Sequence, residues 1–314
     1  MRRAVKNLLK RLFFLVHRQA ARLGVHVLPV HYYSPVPDVL ELDRTRERWA
    51  RPSALAGIEV DLEEQVRNLR RICLPLREEY RDNGNYLRGV RDGYGPGFGF
   101  VEAQALHAVV RHYKPARILE VGSGVSTFCA HRAAEANQRE SGRACRITCV
   151  EPAPSRPLRE LAARGSAVEL LDLPVQSVGP GEFATLGPAD ILFIDSSHVV
   201  KTGSDTEFLL LEVLPRLGPG VLVHFHDIYM PYTYQTNALE SFFHSNETAF
   251  LQAFLIENRR TRILFCLSHL HHARPEALKE AFPDYVPASF TDGLRDARFD
   301  PHHHFPSSIW LERR

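Results

Sequence analysis

The chain has 314 residues, 44% hydrophobic and 24% charged, which suits one large domain with an extension or two modest ones and excludes a fibrous, collagen-like or disordered chain. Its 39 Lys and Arg against 37 Asp and Glu leave a net charge of +2, so no whole-chain field asks for a nucleic-acid partner. The five cysteines (Cys73, Cys129, Cys145, Cys149, Cys266) contain no Cys-x-x-Cys pair, which argues against a disulfide framework or a zinc ribbon and makes a cytoplasmic setting the expectation.

Residues 1–24 carry Arg2, Arg3, Lys6, Lys10, Arg11, Arg18 and Arg22 and no acid. Val5, Leu8, Leu9, Leu12, Phe13, Val16, Ala20 and Leu23 recur at helical spacing, which predicts an amphipathic helix with one apolar and one cationic face. Such a helix lies on an anionic membrane surface as a peripheral contact or docks on its own domain, and an Arg-rich, acid-poor segment also suits an organellar presequence. The apolar run from Leu12 to Val16 is far shorter than the roughly 20 residues of a membrane span. Pro35 and Pro37 keep the aromatic segment 31–38 out of a helix, as an ordered arm. A helix broken near Pro75 is expected over 61–80. The six glycines between Gly84 and Gly99, with Tyr86, Tyr94 and Phe98 among them, suit a lid over a ligand or a plain linker. Residues 1–99 are therefore expected as an N-terminal region and 100–314 as the main domain.

From residue 101 the pattern becomes regular. A helix ended by Pro115 precedes strands expected at 117–121, 146–151, 167–171, 190–195, 220–226 and 262–268, with helices at 126–137, 155–164, 204–214 and 246–257. Short apolar runs separated by helices predict a doubly wound, mostly parallel α/β sheet. A last strand is expected at 308–312, which would make seven. There is no internal repeat.

The sharpest motif is Ile118-Leu-Glu-Val-Gly-Ser-Gly-Val-Ser-Thr127, a strand entering a glycine turn and then a helix. Gly122 and Gly124 let backbone approach a ligand at the carboxyl end of the strand, and Glu151 after the next strand can accept hydrogen bonds from ribose hydroxyls. Together they indicate a nucleoside cofactor. An NAD(P)-dependent oxidoreductase fits less well, because Thr127 stands where the third glycine of Gly-x-Gly-x-x-Gly is expected. A non-catalytic cofactor-binding module is the other alternative.

Through Glu120-Val-Gly-Ser-Gly124, Glu151 and Phe193-Ile-Asp195, residues 100–314 resemble the class I S-adenosylmethionine-dependent methyltransferases. The resemblance implies S-adenosyl-L-methionine as cofactor, with Gly122, Ser123 and Gly124 on its methionine part and Glu151 on its ribose. Glu120 stands at the family's strand-one acid position. Pro174 replaces the Asp that many members carry, which leaves Val175 and Gln176 as neighbours of the adenine. It also implies that the closing strand lies at the antiparallel edge of the sheet.

Strand four ends Ile194-Asp-Ser-Ser-His198 and strand five ends His224-Phe-His-Asp227, so Asp195, His226 and Asp227 are expected at one sheet edge. This is similar to the metal-dependent catechol O-methyltransferase branch. The resemblance implies a divalent ion on Asp195, His226 and Asp227, with His198 at the position of the catalytic lysine and so a general base. A metal-bound hydroxyl is more acidic, and a histidine can take its proton. The alternative is that His226 is a core histidine and Asp195 meets only the cofactor. O-methylation of a small-molecule or glycan hydroxyl is the expected reaction. Tyr229, Tyr232 and Tyr234 either line the acceptor pocket or pack. His269, His271 and His272, and His302, His303 and His304, are expected in surface loops.

Overall fold

The computed structural model describes residues 2–95, 97–165, 167–287, 290, 292–295 and 305–314. The chain divides into two compact units, Met1–Trp49 with Leu239–Phe242, and Ala50–Ala238 with Phe243–Arg314. In the first, helix Arg2–Arg22 is followed by the non-helical segment that the prolines require. Asp38 then caps helix Val39–Arg44 by accepting from the amides of Leu40 and Glu41.

The second unit is built on seven strands: β1 Arg117–Val121, β2 Arg146–Val150, β3 Val168–Leu171, β4 Ile191–Ile194, β5 Leu222–His226, β6 Thr261–Cys266 and β7 Ser308–Arg313. Their order is β3-β2-β1-β4-β5-β7-β6. β1 to β5 are parallel neighbours, and β7 pairs antiparallel with both β5 and β6. The closing strand therefore lies between β5 and β6 rather than at the edge. It is buried on both faces, with Trp310 under one layer and Ile309 and Leu311 under the other, which is why its centre, Ile309-Trp-Leu311, reads as an unbroken apolar run.

Alternation along each strand divides the core between two layers. Ile118, Ile147, Ile191, Phe193 and Leu222 face one layer, formed with helices Leu62–Cys73, Phe100–Tyr113 and Val125–Ser141. Leu119, Val121, Leu192, Ile194, Val223 and Phe225 face the other. Helix Leu62–Cys73 is locked to β6 by Asn68, which donates to the carbonyl of Leu264 at 3.1 Å, and by Gln65, which accepts from the amide of Cys266 at 3.0 Å.

Three expectations change. The strand expected at 262–268 stops at Cys266, and Leu267–Ala273 is a helix whose Leu267 and Leu270 enter the core. His269 and His271 are therefore buried, not in a surface loop; the hydroxyl of Tyr285 lies 2.6 Å from His271 Nδ1. His302, His303 and His304 lie outside the described residues. The helix expected at 204–214 is α-helical only over Asp205–Phe208 and widens to a π-type turn at Leu209–Val213, next to Pro215, which lacks an amide to continue the ladder. The glycine-rich segment begins as helix Gly84–Arg91, and Phe98 is buried against the rings of Phe193 and His226 at 5.6 and 5.1 Å.

Candidate active site

The strand order reverses between β1 and β4, where a doubly wound sheet opens a crevice at its carboxyl edge. The glycine turn stands there. Gly122 has φ +79°, and a Cβ on it would lie 1.7 Å from the carbonyl oxygen of Asp195, so the turn passes directly over the end of β4. A Cβ on Gly124 would lie 2.9 Å from the carbonyl oxygen of Tyr94. The amide of Ser123 donates to Glu151 at 3.1 Å, and the other Glu151 oxygen accepts from the amide of Ala153 at 2.8 Å. Turn and second-strand acid are thus brought together. Ser123 Oγ is buried without a hydrogen-bond partner, a polar atom that a ligand at the turn could satisfy. Val175 is packed in the core, whereas Gln176 is exposed and donates to the carbonyl of Gly203 at 2.9 Å.

Glu120 is placed differently from the other motif residues. It is buried, and its carboxylate accepts from Ser126 Oγ at 2.6 Å and Thr127 Oγ1 at 2.5 Å, tying β1 to the first turn of helix Val125–Ser141. Burial raises its pKa from the usual 4.5 to about 7, against the opposing effect of those hydroxyls. An acid whose folded pKa is raised holds its proton more tightly when folded, so stability falls as pH rises from 4.5 through about 7. Glu120→Gln keeps an acceptor oxygen and removes the titration. Unfolding by denaturant at about pH 5 and about pH 8 should show the variant gaining on the wild type by about 3 kcal/mol across that interval.

At the ends of β4 and β5 four titratable side chains converge. His226 Nδ1 lies 3.3 Å from Asp195 Oδ1 and 3.7 Å from Asp227 Oδ1. His198 Nε2 lies 3.4 Å from Asp195 Oδ1 and 3.5 Å from Asp227 Oδ2. One ligand atom from each of Asp195, His198 and His226 falls within 4.8 Å of the others. His198 and Asp227 both take positive φ, +59° and +53°, a conformation uncommon outside glycine and one that concentrates at functional sites.

The remaining contacts hold this cluster in place. The other nitrogen of His198, Nδ1, meets Glu247 Oε2 at 2.8 Å, and the Glu247 side chain is fully buried. The His198 carbonyl accepts from the amides of Asn246 and Glu247 at 3.1 and 3.2 Å, orphan donors at the start of helix Glu247–Leu255. Asp227 Oδ1 accepts from Tyr229 Oη and Ser307 Oγ, each at 3.0 Å. Of the three tyrosines, Tyr229 therefore joins the cluster, while Tyr232 packs on His272 and Tyr234 donates to the carbonyl of Asp292.

Charge follows from this crowding. Burial opposes protonation of His198, but Asp195, Glu247 and Asp227 outweigh it and push its pKa to about 11. His226 rises to about 9 for the same reason, burial being overcome chiefly by Asp195. Burial alone would raise the Asp195 carboxyl, yet the two imidazoles hold it well below the usual range. His224, two residues earlier on β5, is stacked on Phe193 at 4.2 Å and falls to about 3 through burial and the charge of His226. It is a core histidine; His226 is a site histidine.

Phe98, Glu247 and Ser307 are site residues that motif reasoning missed. Phe98 had a signal, as an aromatic within the glycine-rich segment. Glu247 had none: it stands 49 residues after His198 and opens an ordinary helix.

A seven-stranded sheet of this order, with a glycine turn after β1 and an acid after β2, is the class I methyltransferase architecture. Residues 119–228 match the family described as a methyltransferase domain, a stretch that runs from β1 to just beyond Asp227. An uncharacterized protein of Archaeoglobus fulgidus is 32% identical over 163 residues, 50% of this chain and 72% of that protein. The chain belongs to the same family as this archaeal protein, and it carries a methyltransferase domain. The SAH-bound methyltransferase of Podospora anserina superposes with a TM-score of 0.40 at 14% identity, covering 92% of this chain and 99% of its own.

Proposed function

We propose that this chain transfers the methyl group of S-adenosyl-L-methionine to an oxygen nucleophile, a small-molecule or glycan hydroxyl, at the edge formed by β4 and β5. The observation that carries this reading is the contact between the cofactor turn and the polar cluster: Gly122 lies against the carbonyl of Asp195, whose side chain meets both His198 and His226. A methyl donor held at the turn is thereby next to groups able to bind and deprotonate an acceptor. In the transfer the acceptor oxygen loses its proton and attacks the methyl carbon, and the sulfonium sulfur leaves with the bonding pair.

The donor set fits a divalent ion. His226 Nδ1 is buried, lacks a hydrogen-bond partner and faces the Asp195 carboxylate. Asp195, His198 and His226 would hold the ion, with Asp227 beside them, and the ion would displace the protons that the carboxylates otherwise keep on the two imidazoles. Two imidazoles favour manganese, iron, cobalt, nickel or zinc over magnesium or calcium. A bound ion there would make a coordinated hydroxyl more acidic. His198 is better placed as a ligand than as the base expected from the family lysine, because Glu247 takes its Nδ1 and its Nε2 is turned towards the carboxylates. Asp227, whose side chain is one-third exposed, is then the group open to the acceptor's proton.

Calorimetry should show S-adenosylhomocysteine binding that Glu151→Ala weakens, and elemental analysis after dialysis against candidate ions should show about one equivalent retained, lost in Asp195→Ala/His226→Ala. NADH binding in place of the sulfur nucleoside would sink the methyltransferase reading. Retention of no ion would leave the cofactor assignment standing and remove the metal.

A further inference from the structure

We infer that the 1–37 segment is a docking surface for an anionic lipid bilayer, an inference independent of the chemistry proposed above. The first acidic residue of the chain is Asp38, after seven Lys and Arg between Arg2 and Arg22. Helix Arg2–Arg22 turns about 100° per residue, which gathers Val5, Leu8, Leu9, Leu12, Phe13 and Val16 into one arc. Lys10, Arg11, Arg18 and Arg22 fall on the rest of its circumference.

That apolar arc is not buried. Leu8, Leu9, Leu12 and Val16 are 50–60% exposed and Phe13 is 41% exposed. After the helix the chain turns back, His17 Nδ1 meeting the Val27 carbonyl at 2.9 Å, and Leu23, Tyr32 and Tyr33 are exposed as well, at 84%, 82% and 81%. An apolar helix face exposed on this scale marks an interaction site.

Charge selects the occupant. The stripe is bordered by cations with no acid, and the exposed Tyr32 and Tyr33 suit the headgroup level of a membrane interface. An anionic bilayer satisfies both features at once, with the apolar side chains inserted and the cations at the phosphates and carboxylates. The helix would lie in the interface plane: among the described residues no helix is long and apolar enough to cross a membrane.

The test is sedimentation of the full chain with sucrose-loaded vesicles of phosphatidylcholine, with and without phosphatidylserine. Partition should favour the anionic vesicles by at least about tenfold and collapse at high salt. Lys10→Glu/Arg11→Glu should reduce it by about twentyfold or more, at about fivefold per basic residue near the surface. Leu12→Glu/Val16→Glu should abolish it without lowering the melting temperature. Equal binding to uncharged vesicles, or none to either kind, overturns the inference. So does a Leu12→Glu/Val16→Glu protein that melts earlier or loses an oligomer, since the stripe would then be covered by protein.

Discussion

Gly122→Ala is expected to destabilise the protein by about 3–5 kcal/mol and to eliminate S-adenosylhomocysteine binding. Two costs add at this position. The φ of +79° places a side chain in the left-handed region, worth about 1–2 kcal/mol for a residue with a Cβ. The larger cost is steric: the new methyl would sit 1.7 Å from the carbonyl oxygen of Asp195, a backbone atom that cannot rotate away. Relief requires β1 and β4 to separate at their carboxyl ends, where the amide of Asp195 donates to the carbonyl of Val121 at 2.9 Å. Gly142→Ala is the control. It has φ +69° but nothing within 4 Å of its Cβ position, so it should cost only about 1 kcal/mol and leave ligand binding intact. Denaturant midpoints and calorimetry measure both effects. Equal destabilisation by the two substitutions would show that the close approach of turn and strand is not what requires glycine.

If the proposed site binds a divalent ion, Glu247→Ala should lower affinity for it by about 10–100-fold, the usual effect of removing the carboxylate behind a ligating histidine. The Glu247 carboxylate meets His198 Nδ1 at 2.8 Å, and with that nitrogen occupied only Nε2 is left to face Asp195 and Asp227. Removing it leaves a buried ring nitrogen without a partner, a cost of about 2–3 kcal/mol in folding stability as well. Glu247→Gln separates the two consequences. Its amide oxygen still accepts from Nδ1, so orientation and most of the stability survive and the loss of affinity should stay below about tenfold. Titration with manganese or zinc decides the matter. If the alanine variant binds either ion as tightly as the wild type, Glu247 does not position His198.

Much of the second unit could be read from local pattern. Apolar runs bounded by turn residues located β1 at Arg117–Val121 and β7 at Ser308–Arg313 within a residue, because a strand buried on both faces must be apolar along its length. The need for glycine at the turn was legible as a close approach to a ligand, but that Gly122 passes over the Asp195 carbonyl was shown only by the structure. Helix Leu267–Ala273 was not: Leu267-Ser-His continues the apolar strand β6, and only its seat against the core distinguishes one from the other. Nor could the place of β7 be found locally, because its own residues look alike at an edge and between two strands.

By itself the sequence determined that strands alternate with helices, that Asp195, His198, His226 and Asp227 stand at strand ends, and that residues 1–24 are basic and amphipathic. Each of these is a property of neighbours in the chain, set by side-chain spacing and backbone preference. Tertiary structure alone decided which groups meet. It buried Glu120 under Ser126 and Thr127, left His224 in the core while His226 entered the site, and brought Glu247 from a remote helix to His198. The physical reason is that burial and the charge of distant neighbours govern a titratable group, and both are fixed only when β4, β5 and helix Glu247–Leu255 pack together.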